Sequence, residues 1–217
     1  MRVIAGSAKG RKLKSPTTDE TRPILDRVKT ALFDTLMGEI VDTRFLDLFA
    51  GVGGIGIEAL SRGAASATFI ELSPESYRLL RENLAITRLA DKAETIRGDA
   101  FAFLKAAVAQ GRIYDIVYVA PPQYHGMAAR AVSLLDTEPL TTPGGLVIAQ
   151  VHPRERADFA DLSLHRLRLA DERRYGATLL LYYEHSDVDA VDSEEASESS
   201  DGGEQIPSER AQENDNE

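Results

Sequence analysis

Five short strand-like segments, most of them near-continuously apolar and each followed by a stretch of helical period, constrain this chain more than any other feature of it. They cover 44–49 (RFLDLF), 67–72, 93–97, 114–119 (YDIVYV) and 145–151 (GLVIAQV), and helices are predicted over 54–62, 74–86, 100–109 and 126–135, with a short one near 154–160. Strands this continuously apolar cannot leave one face in water, so they belong to a parallel sheet with helices on both sides. Two more strands, near 163–169 and 177–184, have no helix-length spacer between them and predict an antiparallel hairpin at one edge. Upstream, Pro23 suits a first helical turn, and Leu25, Val28, Leu32 and Leu36 recur at helical spacing until Gly38. A length of 217 residues suits one such α/β domain with appendages.

Charge divides the chain into three parts. The formal net charge is −10, but residues 186–217 hold twelve acids against Arg210 alone, leaving the rest at +1. That tail is Ser, Glu, Asp and Gly without an aromatic residue, and it reads as disordered because it cannot bury enough surface to offset its ordering entropy. Residues 1–29 carry eight bases and three acids. Val3–Gly6 and Gly10–Leu13 have strand character, so residues 1–20 are expected to form a basic β-hairpin ahead of a body at 21–185. Such a hairpin suits phosphate contacts through Arg2, Lys9, Arg11, Lys12, Lys14, Arg22 and Arg27; a merely solvated charged face is the alternative. Without cysteine there is no disulfide framework, thiolate site or cysteine nucleophile, and the four histidines lack ligand spacing, so no metal is expected. Neither a signal peptide nor a membrane-spanning run is apparent, which makes a cytoplasmic location the default.

The chemistry gathers at strand ends. Gly51, Gly53 and Gly56 follow the first strand at G-x-G-x-x-G spacing, which permits a tight turn, close approach of a ligand to the backbone, and contact between helix and strand. Glu71, twenty residues after Gly51, ends the next strand where an acid can hold ribose hydroxyls. A nucleoside cofactor follows, either NAD or S-adenosylmethionine. Asp47 favours the second: an acid in an apolar strand needs a partner, which the α-ammonium of a methionine moiety supplies and a pyrophosphate does not. Its alternative role is a cap on loop N–H groups. Asp99 can accept from an adenine amine, N-cap the helix beginning at Ala100, or do both. Ala120-Pro121-Pro122-Gln123-Tyr124 ends the fourth strand, where two prolines aim carbonyls into the crevice that binds ligands in such sheets.

Together, DLFAGVGGIGIEALSRGA, FIEL, RGDA and DIVYVAPPQY, preceded by RVIAG, KGRKL and TRPILDRVKTALFDTL and followed by ERRYGATLLLYY, resemble the RsmD family of 16S ribosomal RNA guanine-N2 methyltransferases. The resemblance covers about residues 1–184. It implies a Rossmann-like, seven-stranded class I methyltransferase fold using S-adenosylmethionine, direct in-line transfer to one guanine of small-subunit ribosomal RNA or an assembling 30S particle, and an RNA-contacting N-terminal hairpin. Asp47, Phe49, Gly51, Gly53 and Gly56 would hold the methionine portion, Glu71 the ribose, Asp99 and Ala100 the adenine, while Ala120 to Tyr124 would form the base pocket.

Three departures bear on catalysis. The family has Asp or Asn before Pro-Pro and an aromatic directly after it, whereas this chain has Ala120 and Gln123, with Tyr124 one place late; Ala177 replaces an acid after Tyr175-Gly176. The guanine amine is a poor nucleophile until an acceptor holds its N–H, and losing such a group typically costs about 10²–10³ in rate. Three readings follow. Gln123 supplies a carbonyl with Tyr124 stacking on the base, backbone carbonyls suffice at lower rate, or the chain is an inactive binder of RNA and S-adenosylmethionine in ribosome assembly.

Overall fold

The computed structural model describes residues 1–16, 25–138 and 140–186. In chain order the elements are α1 (Asp26–Thr35), β1 (Arg44–Asp47), α2 (Gly56–Ser61), β2 (Ser66–Glu71), α3 (Pro74–Thr87), a 3₁₀ turn (Ala90–Lys92), β3 (Ala93–Arg97), α4 (Ala100–Ala109), β4 (Tyr114–Val119), α5 (Met127–Thr137), β5 (Thr141–Val151), a 3₁₀ segment (Pro153–Phe159), β6 (Leu167–Tyr175) and β7 (Thr178–His185). The seven strands form one sheet in the order β3-β2-β1-β4-β5-β7-β6. β1 to β5 pair in parallel, and β7 runs antiparallel to both β5 and β6, as the short connection between the last two strands requires.

Alternation along the strands divides the core into two layers. Phe45, Phe69, Tyr118 and Ile148 face α1, α2 and α3, packing with Leu32, Phe33, Ile57 and Leu80. Their chain neighbours Leu46, Ile70, Val117 and Val147 face α4 and α5 and pack with Leu104, Val132 and Leu135. Each such side chain contributes about 1.5–3 kcal/mol when fully buried, so both layers are needed to hold the sheet.

Two expectations need correction. The strand read at 163–169 lies instead at Leu167–Tyr175. Its second half, Asp171 to Arg174, is charged because β6 is the exposed sheet edge, where charges deter pairing with other chains. An apolar-periodicity reading stops at Leu169 for that reason.

The basic β-hairpin is the second correction. Residues 1–16 form only one isolated antiparallel bridge, Arg2 with Lys12, and no strand. Three backbone bonds join the two arms of the segment, Val3 N–H to the Arg11 carbonyl and Leu13 N–H to the Met1 carbonyl at 3.0 Å and Gly10 N–H to the Val3 carbonyl at 2.9 Å, and side chains of the body take up further backbone groups in place of a longer ladder. Glu58 accepts from the N–H of Ile4 at 2.8 Å and of Ala5 at 2.9 Å; Ser61 accepts from Ala8 N–H at 2.9 Å and donates to the Ala5 carbonyl at 2.6 Å. Asn83 likewise brackets Lys14, accepting from its N–H at 2.7 Å and donating to its carbonyl at 3.0 Å. With Val3, Ala8 and Leu13 buried, this segment is part of the compact unit Met1–Ser186. The acidic tail read as disordered lies outside the described residues from Asp187 onward, as does Arg22.

Candidate functional site

Order reverses between β1 and β4, and an open α/β sheet leaves its ligand crevice at the carboxyl ends of strands flanking such a switch. A cavity of about 160 Å³ opens there, lined by Asp47, Phe49, Gly51, Tyr118, Ala120 and Gln150, among others. A larger groove of about 650 Å³ lies away from these groups, between α3 and β3, and holds none of the residues singled out from the sequence.

The glycine turn has the shape this crevice needs. Gly51 adopts φ +55°, and a Cβ there would meet nothing within 4 Å, so the backbone offers an open face to a ligand. Gly56 has the opposite reason for being glycine: a Cβ would stand 2.3 Å from the Phe69 ring, forcing α2 off the sheet. Gly53 closes the turn, its N–H donating to the Ala50 carbonyl at 2.8 Å.

Asp47 is 2% exposed, and its Oδ2 accepts from Gly56 N–H at 3.0 Å. The capping role is therefore real, yet among the described residues the other oxygen has no hydrogen-bond donor. Burial, offset by the Gly56 bond and reinforced by the Glu71 charge, pushes the Asp47 carboxyl up to about 7. Glu71 spends one oxygen on Gly51 N–H and the other on Ser73 N–H, both at 2.7 Å, which fixes the turn while leaving lone pairs for hydroxyl donors. Asp99 is exposed and N-caps α4, accepting from Ala102 N–H at 2.8 Å; Ala100 beside it is buried. The Phe49 ring meets Phe101 edge-on at 6.1 Å.

Across the crevice, Ala120 lines the cavity and Pro121 is buried, whereas Pro122, Gln123 and Tyr124 are exposed. Tyr124 adopts φ +67°, a left-handed conformation costly for an aromatic residue. Glu155 holds it there: buried, it accepts from Tyr124 N–H at 2.8 Å and from His152 N–H at 3.1 Å, and the His152 ring lies 5.3 Å from that of Tyr124. Sequence reading missed Glu155, though a Glu three places after His152 and two after Pro153 carries a capping-box signature.

The basic residues differ in exposure and in their partners. Arg2, Lys9, Lys12, Lys14 and Arg27 are exposed; Arg2 pairs with Asp26 and Lys14 with Glu82, and Arg11 donates to the Ile86 carbonyl at 2.7 Å. What the sequence did not disclose is that Met1, Ser15 and Pro16 line the cavity, bringing the N-terminal segment to its wall. Ser15 Oγ is buried there without a partner among the described residues.

These residues fit a nucleoside cofactor with an ammonium group: an open glycine cradle, a buried carboxylate with a free oxygen, and an acid, Glu71, bonded to the turn at the end of the next strand. The antiparallel β7 between β5 and β6 departs from the 3-2-1-4-5-6 order of dinucleotide-binding sheets. The fold is that of the class I methyltransferases. The family model described as Conserved hypothetical protein 95 matches residues 1–184. The chain belongs to this family, the RsmD methyltransferases. It is 36% identical over 177 residues to ribosomal RNA small subunit methyltransferase D of Escherichia coli K12, covering 81% of this chain and 87% of that one. The protein of the same name from Haemophilus influenzae is 38% identical over 151 residues, with 69% and 78% covered. A solved Thermus thermophilus protein, TTHA0928, superposes with a TM-score of 0.69 at 34% identity over 84% of this chain and 98% of that one. In fold alone, an RNA methyltransferase from Salinibacter ruber in complex with S-adenosyl-L-homocysteine is similar, with a TM-score of 0.59 at 17% identity over 76% and 95% of the two chains. Among the described residues no helix is long and apolar enough to cross a membrane, and no cluster of His, Asp and Glu could hold a metal ion.

Proposed function

We propose that this chain methylates the exocyclic N2 of a guanine in small-subunit ribosomal RNA, as naked RNA or in an assembling 30S particle, using S-adenosylmethionine. The observation that carries it is the placement of a buried, half-satisfied Asp47 beside an open glycine turn and opposite the Pro-Pro loop, in a chain related to small-subunit methyltransferases. Asp47 would hold the ammonium with Phe49 and the glycine turn around the methionine portion, Glu71 the ribose hydroxyls, and Asp99 and Ala100 the adenine. When bound, S-adenosylmethionine supplies an electrophilic methyl group. Pro121, Pro122, Gln123 and Tyr124 border the base, with Tyr124 placed to stack on it, a contact worth about 1–3 kcal/mol. The exposed bases at Arg2, Lys9, Lys12, Lys14 and Arg27 add phosphate contacts near the wall that the N-terminal segment builds.

The test is incubation with labelled S-adenosylmethionine and small-subunit RNA or particles lacking the modification, followed by mass spectrometry of the digested RNA. N2-methylguanosine is expected, and its absence on every substrate would overturn the reading. Ala120, with no acceptor in its side chain, favours a second reading, a non-catalytic binder of RNA and cofactor; cofactor and RNA binding without turnover would establish it.

Cofactor affinity should depend on pH. Free, Asp47 holds its proton up to about 7, whereas pairing with an ammonium needs the carboxylate. Affinity for S-adenosylhomocysteine should therefore tighten about tenfold per unit as pH rises toward 7 and level off above it, and Asp47→Asn should remove the slope in a calorimetric titration. The same raised value makes the ligand-free protein lose stability as pH climbs from about 4, where Asp47 ionises when unfolded, to about 7.

Removing residues 186–217 takes the formal charge from −10 to +1. Non-specific RNA affinity should rise at low salt and the gain should shrink as salt screens it, read by fluorescence anisotropy across a salt titration. Equal affinities for the two proteins at every salt concentration would show that the tail's charge plays no part.

A further inference from the structure

Ala120 leaves the end of β4 without a side-chain acceptor, but the neighbouring strand presents one. β4 and β5 pair in parallel register up to Val119 with Ala149, so one residue further Ala120 stands beside Gln150. Both line the crevice, together with Asp47 and Tyr118. Alternation puts Tyr118 and Ala120 on one face of the sheet, and Ile148 and Gln150 on that same face, because Tyr118 and Ile148 share one core layer. The Tyr118 hydroxyl donates to Gln150 Oε1 at 2.5 Å. Burial raises the Tyr118 phenol well above its ordinary value, which keeps it a donor. An amide carbonyl has two lone pairs, so Oε1 retains one, and among the described residues Nε2 has no partner. Gln123, by contrast, is exposed, lies outside the cavity lining and makes no hydrogen bond with the described residues.

We propose that Gln150, held by Tyr118, is the residue that grips the target amine: Oε1 accepts from the guanine N2–H while Nε2 donates to the ring N3. An adjacent donor and acceptor on the amide then meet the adjacent donor and acceptor on that edge of guanine, whereas adenine, with no amine beside N3, presents only the acceptor there. A hydrogen bond at N2–H localises the nitrogen lone pair. As the N–C bond forms and the donor's C–S bond breaks, N2 becomes cationic and sheds one proton to water, since an amide is no base. The inference rests on the N2 reading above, and replaces Gln123 as the source of the acceptor.

The experiment compares wild type, Gln150→Ala, Gln150→Glu and the double variant Gln150→Ala/Ala120→Asp in single-turnover methyl transfer, with cofactor affinity measured separately by calorimetry. Gln150→Ala should slow transfer about a hundredfold, with cofactor affinity within about threefold of wild type. Ala120→Asp in that background should restore at least about tenfold, because it returns an acceptor to the adjoining position. Gln150→Glu should stay active but acquire an acid limb in its pH–rate profile, as protonation removes the acceptor. RNA binding gives an independent readout: wild type should prefer guanine to inosine, which lacks the amine, at the methylated position, and Gln150→Ala should lose the preference. Transfer by Gln150→Ala within threefold of wild type would overturn the proposal while leaving guanine methylation intact, as would an equal loss of cofactor affinity. Failure of the wild type to methylate guanine would overturn both. Should Gln150→Ala not fold, Tyr118→Phe decides, with about a tenfold loss expected and an unchanged rate overturning the assignment.

Discussion

Asp47→Ala should weaken cofactor binding by at least about 30-fold while leaving the fold in place. Asp47 sits 2% exposed at the end of β1 with a single hydrogen bond, to Gly56 N–H, so its removal costs the protein one cap on the glycine turn. To the ligand the cost is larger, because an ammonium brought into the crevice would be left without its counter-charge. Truncating one partner of a buried charge pair costs about 2–5 kcal/mol, a roughly 30-fold to several-thousand-fold rise in Kd. Titration calorimetry with S-adenosylhomocysteine reads the loss directly, and circular dichroism confirms the fold. Affinity within threefold of wild type would move the methionine portion away from β1. Glu71→Ala should weaken binding by a different route, since Glu71 also fixes Gly51 and Ser73; its backbone cradle loosens, and a cap of this kind is worth about 1 kcal/mol before any ribose contact is counted.

Breaking the Lys29–Glu58 pair should give the largest fall in stability. Both side chains are fully buried, with Nζ 3.1 Å from Glu58 Oε2 and donating also to the Arg2 carbonyl at 2.6 Å. Glu58 Oε1 meets Arg62 at 3.0 Å, and its two oxygens hold Ile4 and Ala5. Removing one member of the buried pair is what makes single substitutions here severe, Glu58→Ala by leaving Lys29 without a counter-charge and Lys29→Met by leaving Glu58 to Arg62 alone: each should cost about 3–5 kcal/mol. In a chain of this size that corresponds to a fall in Tm of roughly 6–20 °C. The double variant Lys29→Met/Glu58→Leu should recover part of the loss, since it leaves neither charge of the fully buried pair behind, although Arg62 loses its partner and Ile4 and Ala5 lose their acceptor. Because residues 1–16 reach the cavity wall at Met1, Ser15 and Pro16, Glu58→Ala should also weaken cofactor binding at temperatures where the body remains folded. Thermal melts with and without ligand separate the two effects.

Local pattern and composition determined much of this protein. Apolar continuity of the strands specifies a doubly covered parallel sheet, the glycine spacing specifies the turn after β1, and the acids at Asp47, Glu71 and Asp99 fall at successive strand ends because each βα unit repeats the same geometry. All of these signals lie within one βα unit or in its period. What the tertiary structure alone decided involves partners far apart in the chain. Lys29 reads as one more base in a basic segment, yet it is buried against Glu58 and so belongs to the core; that pairing spans 29 residues and leaves no trace in spacing. The same holds for the N-terminal segment, whose single bridge is supplemented by contacts to Glu58, Ser61 and Asn83, and for Glu155 bracing Tyr124. Gln150 is the clearest instance: on β5 it is an ordinary polar residue, and only parallel register with β4 sets it beside Ala120 in the crevice. Hydrogen bonds and ion pairs follow distance in space, whereas sequence patterns report the faces of single elements, so the elements were legible and the contacts between them were not.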